Sequence, residues 1–410
     1  MKDKNCDNGM QSYNKINFFL NGKPCEYDVA PGISTLDFLN KELFMYGTKC
    51  SCNEGDCGAC TVVIASSFEG TIQYQAINSC LYPAVKLHGK HLITVEGLGT
   101  PDDLHPIQSM LLEHHGTQCG YCTPGFVMSM FALFAMHTRP NRETIMAALE
   151  GNLCRCTGYQ SILDAAEELA DRYTPKEIVP PWCRDIEPAL FSFCGHAEVN
   201  MKSSKSIHKT DNYIVPKSVQ ELLELMNEYP ESTIIAGGTD IMVQANIQRK
   251  RFDCLIDVGE IAELNYIRMQ KDGIHIGAAV TYTQLMQSGI VKTDLPSLVQ
   301  MIRLIASQQI RNFGTLAGNV ANASPVGDSL PLLLVYDAIL VLESLAGLRQ
   351  VPIREYFVAY KQTALHRGEI IREIIVPLPQ RSSFIQSIKS SKRKSVRSEE
   401  HTSELQSRIT

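Results

Sequence analysis

Eight cysteines stand at spacings that chemistry can use. Cys52, Cys57 and Cys60 form a C-x4-C-x2-C run with Cys80 further along, while Cys119-x2-Cys122 and Cys154-x-Cys156 make a second four. Thiolates are ligands for soft metals and iron–sulfur groups, and the first spacing is the plant-type pattern for a 2Fe–2S cluster. Three thiolates from one loop must then converge on a two-iron rhomb, so the loop has to curl back on itself. Gly55 and Gly58 permit the curl, because glycine takes positive φ freely, and they leave backbone N–H groups to face cluster sulfurs. Zinc competes for such thiols, but its ligands usually come as C-x2–4-C pairs with a second pair at a distance. Here three fall together and one stands apart. Cys50 is read as a bystander.

Thirty-one residues separate Cys122 from Cys154. They read as two helices, so both pairs sit at helix ends and can meet at one point. Taken alone, this arrangement also suits zinc. A neighbouring plant-type site favours a second cluster instead, because two clusters make an electron relay.

The elements that must position these thiols are legible from pattern. Ile16 to Leu20 predicts a strand, Asn21-Gly22 a two-residue hairpin turn, and Tyr27 to Val29 the return strand, ending at Pro31-Gly32. Ser34-Thr35-Leu36-Asp37 resembles a capping box that opens a helix to about Leu43. Thr61 to Ala65 predicts a buried strand. From Ile107 the pattern turns helical: Phe126 to His137 is an apolar helix, interrupted by Ser129, that must be buried, Glu143 to Glu150 follows, and Ser161-Ile162-Leu163-Asp164 is a second capping-box pattern for a helix to about Tyr173. Pro175, Pro180, Pro181 and Pro188 mark a linker, in which Trp182 would anchor on a neighbouring domain. A new α/β segment begins near Tyr213.

Length and composition bound the rest. At 410 residues the chain is too long for one core. Its 44% apolar and 20% charged content is that of an ordinary globular protein. A net charge of −6 gives no footprint for nucleic acid or an anionic membrane. No apolar run approaches a membrane span, the N-terminus lacks an export signal, and a cytoplasmic location is expected. Cys6, Cys25, Cys183, Cys194 and Cys254 read as free thiols. The eleven histidines form no metal spacing and read as structural or surface residues.

In the second half, Thr233-Ile234-Ile235-Ala236-Gly237-Gly238-Thr239-Asp240 is a short strand running into a glycine turn, which lets backbone N–H groups approach a pyrophosphate. Gly314-Thr315-Leu316-Ala317-Gly318-Asn319, continuing to Ala323-Ser324-Pro325-Val326-Gly327-Asp328, again combines small with polar residues. Alone each is weak, and there is no G-x-G-x-x-G.

The segments Gln118-Cys119-Gly120-Tyr121-Cys122-Thr123-Pro124-Gly125 and Asn152-Leu153-Cys154-Arg155-Cys156-Thr157-Gly158-Tyr159, with the first cysteine group, resemble the signatures of the molybdenum hydroxylase (xanthine oxidase) family. The two glycine turns resemble its flavin domain. The resemblance implies an α+β multidomain chain: a β-grasp, ferredoxin-like 2Fe–2S domain over 13–96, a four-helix-type 2Fe–2S domain over 97–174 and a linker over 175–210. An FAD domain of the vanillyl-alcohol-oxidase/CO-dehydrogenase flavoprotein type would follow over 211–396. By the same resemblance Ile234, Ile235, Ala236, Gly237, Gly238, Thr239, Asp240 and Ile241 would wrap the FAD pyrophosphate with Thr315, Leu316, Ala317, Gly318 and Asn319. Ile305, Asp328, Ile371 and Lys389 match further FAD positions. Lys389 equally suits a solvated basic run, and Asp328 a local turn cap. Gln118 would face the pterin of a partner.

A flavin converts between the single electrons of iron–sulfur clusters and the hydride of NAD+, so the combination reads as the output half of a dehydrogenase. The fused domain order resembles the small subunit of bacterial xanthine dehydrogenases. It implies a large molybdopterin-binding partner subunit in a hetero-oligomer, NAD+ as acceptor, and oxidation of hypoxanthine or xanthine to urate. A related aldehyde or N-heterocycle dehydrogenase, a ferredoxin-like carrier without working flavin and a structural zinc protein are the rival readings. No catalytic side chain beyond the cofactors is expected here. One departure stands out: the family's flavin domain continues further, and residues 397–410 read as a non-native tail after a lost C-terminal subdomain.

Overall fold

A computed structural model describes residues 15–68, 70–193, 212–380 and 383–389; Cys6, Cys194 and the 397–410 tail lie outside them. β1 (Lys15–Leu20) and β2 (Lys23–Asp28) form the expected hairpin, with Asn21 and Gly22 at φ 48° and 81°, the paired positive values that a type I′ turn needs. β3 (Thr61–Phe68), β4 (Thr71–Asn78) and β5 (His91–Ile93) complete a five-stranded sheet in the order β2-β1-β5-β3-β4. β1 and β5 are parallel and the other pairs antiparallel. Ser34 Oγ accepts the Asp37 N–H at 3.1 Å as its pattern predicts. The helix that follows stays regular only over Thr35–Asp37 and widens to a π turn over Phe38–Glu42.

β3 shows why it reads as buried. Val63 and Ala65 pack on the helical domain, while Val62 and Ile64 join a core shared with Tyr213, Ile235, Met242 and Phe313 of the C-terminal domain. A strand covered on both faces carries no polar alternation.

Four helices follow: Pro106–Glu113, Thr123–Met136, Arg142–Leu149 and Gln160–Arg172. The last departs from expectation at its start. Tyr159 is its N-cap, left-handed at φ 72° and without a side-chain cap, so Ser161 lies inside the first turn and caps nothing. The prolines after Tyr173 begin helices instead of loosening the chain. Pro175 and Pro181 occupy first helical positions of Pro175–Ile178 and Pro181–Asp185, where a missing N–H costs nothing. Ile178, Val179, Cys183 and Leu190 are buried in the helical core. Residues 175–193 are therefore packed structure, and Trp182 meets His91 edge-on at 5.5 Å.

The C-terminal domain has two lobes. β6 (Asn212–Ile214), β7 (Thr233–Ile235) and β8 (Cys254–Asp257) make a parallel sheet, order β6-β8-β7, backed by the Val219–Glu228 helix. β9 (Ile267–Gln270), β10 (Gly273–Gly277), β11 (Ile339–Ser344), β12 (Gly347–Pro352) and β15 (Ile370–Val376) make an antiparallel sheet, order β12-β11-β15-β10-β9. Between β12 and β15 lies a small hairpin, β13 (Phe357–Ala359) with β14 (Gln362–Thr363). No helix among the described residues is long and apolar enough to cross a membrane.

Candidate iron–sulfur and flavin sites

The first cysteine loop curls as its glycines predict: Gly55 and Gly58 sit at φ 87° and 67°. Cys52, Cys57 and Cys60 come from this loop, and Cys80 from a single turn after β4. Cys60 and Cys80 are buried, with sulfurs 3.4 Å apart. The Cys52 thiol, hydrogen-bonded to Cys57, pulls the Cys57 thiol down to about 6, while its own is pushed up. Hydrogen bonding with Cys80 likewise holds the Cys60 thiol low. Glu54 N–H points at Cys52 Sγ from 3.5 Å.

The second site lies where two helices begin. Cys122 is the N-cap of Thr123–Met136, and Cys156 precedes the turn into Gln160–Arg172. The Cys119 and Cys156 sulfurs are 3.6 Å apart and exposed. Cys122 pairs with Cys154; burial, then this bond, pushes its thiol up to about 12. Burial raises the Cys154 thiol too, but hydrogen bonds from Thr157 Oγ1 (3.1 Å) and Thr157 N–H (3.4 Å) outweigh it and hold the thiol low. Two helix N-termini place their positive ends beside whatever negative charge the thiolates and their ligand carry.

Among the described residues, no three ligating side chains converge on one point as a single ion would need. Each site instead divides into two sulfur pairs, Cys52/Cys57 with Cys60/Cys80 and Cys119/Cys156 with Cys122/Cys154. Two thiolates per iron is what a 2Fe–2S rhomb asks, since bridging sulfides complete each iron. The thiols thus fit the group. Cys50 is exposed and its carbonyl accepts the Tyr121 hydroxyl, which ties the two cysteine domains.

The two glycine turns also meet. A Cβ on Gly237 would lie 1.9 Å from Phe313 O, and Gly238 takes φ 84° to start the Thr239–Asn246 helix. Thr315 caps the Leu316–Asn322 helix, accepting Gly318 N–H at 3.0 Å. Asn322 Nδ2 donates to Asp240 Oδ1 at 3.0 Å and so links the two helices. Their first amides have no intrahelical partner and suit an anionic group. Ile235, Leu316 and Ala317 turn their side chains into the core, leaving only backbone for a ligand; Ile234 and Ile241 are half-buried.

Asn319 Oδ1 accepts the Ser329 hydroxyl at 2.5 Å. Lys389 is no solvated lysine: Nζ donates to Asp328 Oδ2 at 2.6 Å and to Leu304 O at 2.8 Å, which gathers Ile305, Asp328 and Lys389. Ile371 sits in β15, its side chain in the core of the antiparallel lobe. Gln118 is exposed beside Cys119.

Sequence reasoning missed the residues that join the sites. Asn246, at the far end of the helix begun by the Gly238 turn, donates to Cys80 O at 2.8 Å and Asn53 O at 3.1 Å. Lys86 of the ferredoxin-like domain reaches Asp257 Oδ2 at 2.6 Å and Ala236 O at 2.8 Å. Tyr213 donates to the same Asp257 oxygen at 2.5 Å. No local pattern marks partners 44 to 193 residues apart.

Residues 18–84 match the family described as a 2Fe-2S iron-sulfur cluster binding domain, 94–167 a 2Fe-2S binding domain, and 205–379 an FAD binding domain in molybdopterin dehydrogenase. The chain is 30% identical to xanthine dehydrogenase of Emericella nidulans over 92% of its own length and 31% of that protein's. It is 33% identical to aldehyde oxidase 2 of Cavia porcellus over 90% and 32% respectively. The chain thus spans about a third of the length of the curated relatives it matches. Among solved structures, quinoline 2-oxidoreductase of Pseudomonas putida aligns at 26% identity and a TM-score of 0.45, over 48% of this chain and 67% of that one. The chain therefore carries three matched domains in sequence, two described as 2Fe–2S binding and one described as the FAD binding domain in molybdopterin dehydrogenase.

Proposed function

We propose that the chain is the electron-transfer part of a cytoplasmic molybdenum hydroxylase, taking electrons from a large molybdopterin-binding partner in a hetero-oligomer and delivering them to NAD+. The observation that carries this reading is the pairing of eight thiols into two quartets, with one helix running from the candidate flavin turn to the backbone of a first-site cysteine. Bound clusters would relay single electrons and FAD would exchange them for two-electron steps. The chain's own residues hold and orient. Cys52, Cys57, Cys60 and Cys80 would ligate one cluster and Cys119, Cys122, Cys154 and Cys156 the other. The amides of 238–241, 316 and 317 would seat the FAD pyrophosphate, and Asp328, held by Lys389, would lie at its edge with Ile305. The exposed second site, with Gln118 beside it, faces outward toward a partner.

Oxidation of hypoxanthine and xanthine to urate, in purine catabolism, is the substrate reading, supported by the xanthine dehydrogenase relatives. The aldehyde oxidase relatives, at like identity, favour an aldehyde or N-heterocycle as the second reading. Metal and flavin analysis of the purified chain tests the core of the proposal. About four iron and four sulfide are expected, as two 2Fe–2S clusters contain, with one FAD. Two zinc per chain, or a colourless protein, would overturn it.

A further inference from the structure

The two cysteine loops approach each other through backbone. A Cβ on Gly58 would lie 2.4 Å from Gly151 O, and one on Gly125 would lie 2.2 Å from Gly58 O. Leu153 N–H, one residue before Cys154, donates to Cys57 O at 2.9 Å. At the centre of this contact sits one side-chain amide, that of Asn152, which is 2% exposed. Its Nδ2 donates to Gly58 O at 3.1 Å. Its Oδ1 accepts Ser129 Oγ at 2.7 Å and Gln309 Nε2 at 2.9 Å. Gln309 is wholly buried, belongs to the flavin domain, and donates to Ser129 Oγ as well, at 3.1 Å. One amide therefore touches all three domains.

We propose that Asn152, locked by Gln309, is the positioning residue that holds the two cluster loops in backbone contact and so sets the coupling between the clusters. This rests on the function proposed above. Coupling between metal groups falls steeply with distance, and the Leu153–Cys57 hydrogen bond is a direct bridge between one ligand residue and the neighbour of another. Glycines make the close approach possible, but they supply no attraction of their own. The amide supplies it, because a buried hydrogen-bonded network strongly penalises separation of its members. Gln309 adds the flavin domain to the same lock, so that docking of that domain and spacing of the loops depend on one another.

The test compares the full-length wild-type chain with Asn152→Ala, Asn152→Asp and Gln309→Met, each loaded with iron and FAD. The first readout is spin–spin coupling between the two clusters in low-temperature electron paramagnetic resonance after dithionite reduction. The second is hydrogen exchange of the 151–154 backbone. Iron content should stay at the wild-type level. Cluster coupling should weaken in Asn152→Ala, and exchange at Leu153 should rise about tenfold for the lost hydrogen bonds. Asn152→Asp, which keeps the acceptor and loses the donor, should fall between. Gln309→Met should weaken coupling although it touches neither cysteine loop covalently. If Asn152→Ala does not hold iron, Gln309→Met decides the matter. Wild-type coupling and wild-type exchange in Gln309→Met would overturn the proposal. Absence of cluster signals in the wild-type chain would instead sink the proposed function, before any variant is compared.

Discussion

The two cysteine sites use the same number of ligands and solve opposite problems. The first grows from a loop on a sheet. Its Cys60 and Cys80 are buried, and Asn246 of the flavin domain closes over the Cys80 carbonyl. The second grows from the start of two helices, and its Cys119 and Cys156 remain exposed beside Gln118 and Arg155. A sheet covered on both faces can seal a site; helix ends leave it open while lending it their positive dipoles. Burial, hydrogen bonding to sulfur and solvent access are what set cluster potentials, so clusters held at the two sites would differ in potential. Under the proposed function, the open one meets a partner and the closed one meets the flavin.

Removing a ligand from one site tests their independence most severely. Cys154→Ser is expected to halve the iron content and leave the first site's visible spectrum intact; loss of both signals would mean that the sites form as one unit. Next in size is the link between the closed site's domain and the flavin turn. Lys86→Met leaves Asp257 with a buried charge stripped of its cation, at a cost of roughly 3 kcal/mol. Denaturant unfolding should show this, with FAD retained less well and iron unchanged.

Asn246→Ala sharpens the contrast more gently. Two hydrogen bonds are lost, about 1–2 kcal/mol in all, and the reduction potential of the first cluster should shift while that of the second stays put. The effect smallest near neutral pH is a pH dependence seated in the closed domain. Burial pushes His91 down to about 3, well below its ordinary value, so its stability contribution is full above about pH 6.5 and lost as the pH falls toward 3. The slope is at most roughly 1.4 kcal/mol per pH unit. His91→Gln should flatten acid unfolding curves over that window.

Much of this was legible where chemistry is local. The C-x4-C-x2-C run, the Asn21-Gly22 turn and the largely apolar helix after Cys122 each follow from neighbours in sequence. What failed to show depends on distance or on context. β5 has only three residues and so no local pattern, and it is a strand because β1 and β3 pair with it on either side. Pro175 and Pro181 read as linker residues because proline marks both loops and helix starts, and only buried Ile178 and Cys183 decide between them. Lys389 lies in a basic run whose neighbours give no hint that Asp328, 61 residues earlier, is its partner.

The placement of Trp182 has a practical consequence. It is the chain's single tryptophan, and a Cβ on Gly22 would lie 2.8 Å from its indole ring, which also meets the imidazole of His91. Its fluorescence is therefore a built-in gauge of whether the 175–193 helices have settled onto the ferredoxin-like sheet. Any iron chromophore nearby would darken that emission, so a single optical trace could follow domain docking and cofactor insertion as separate events.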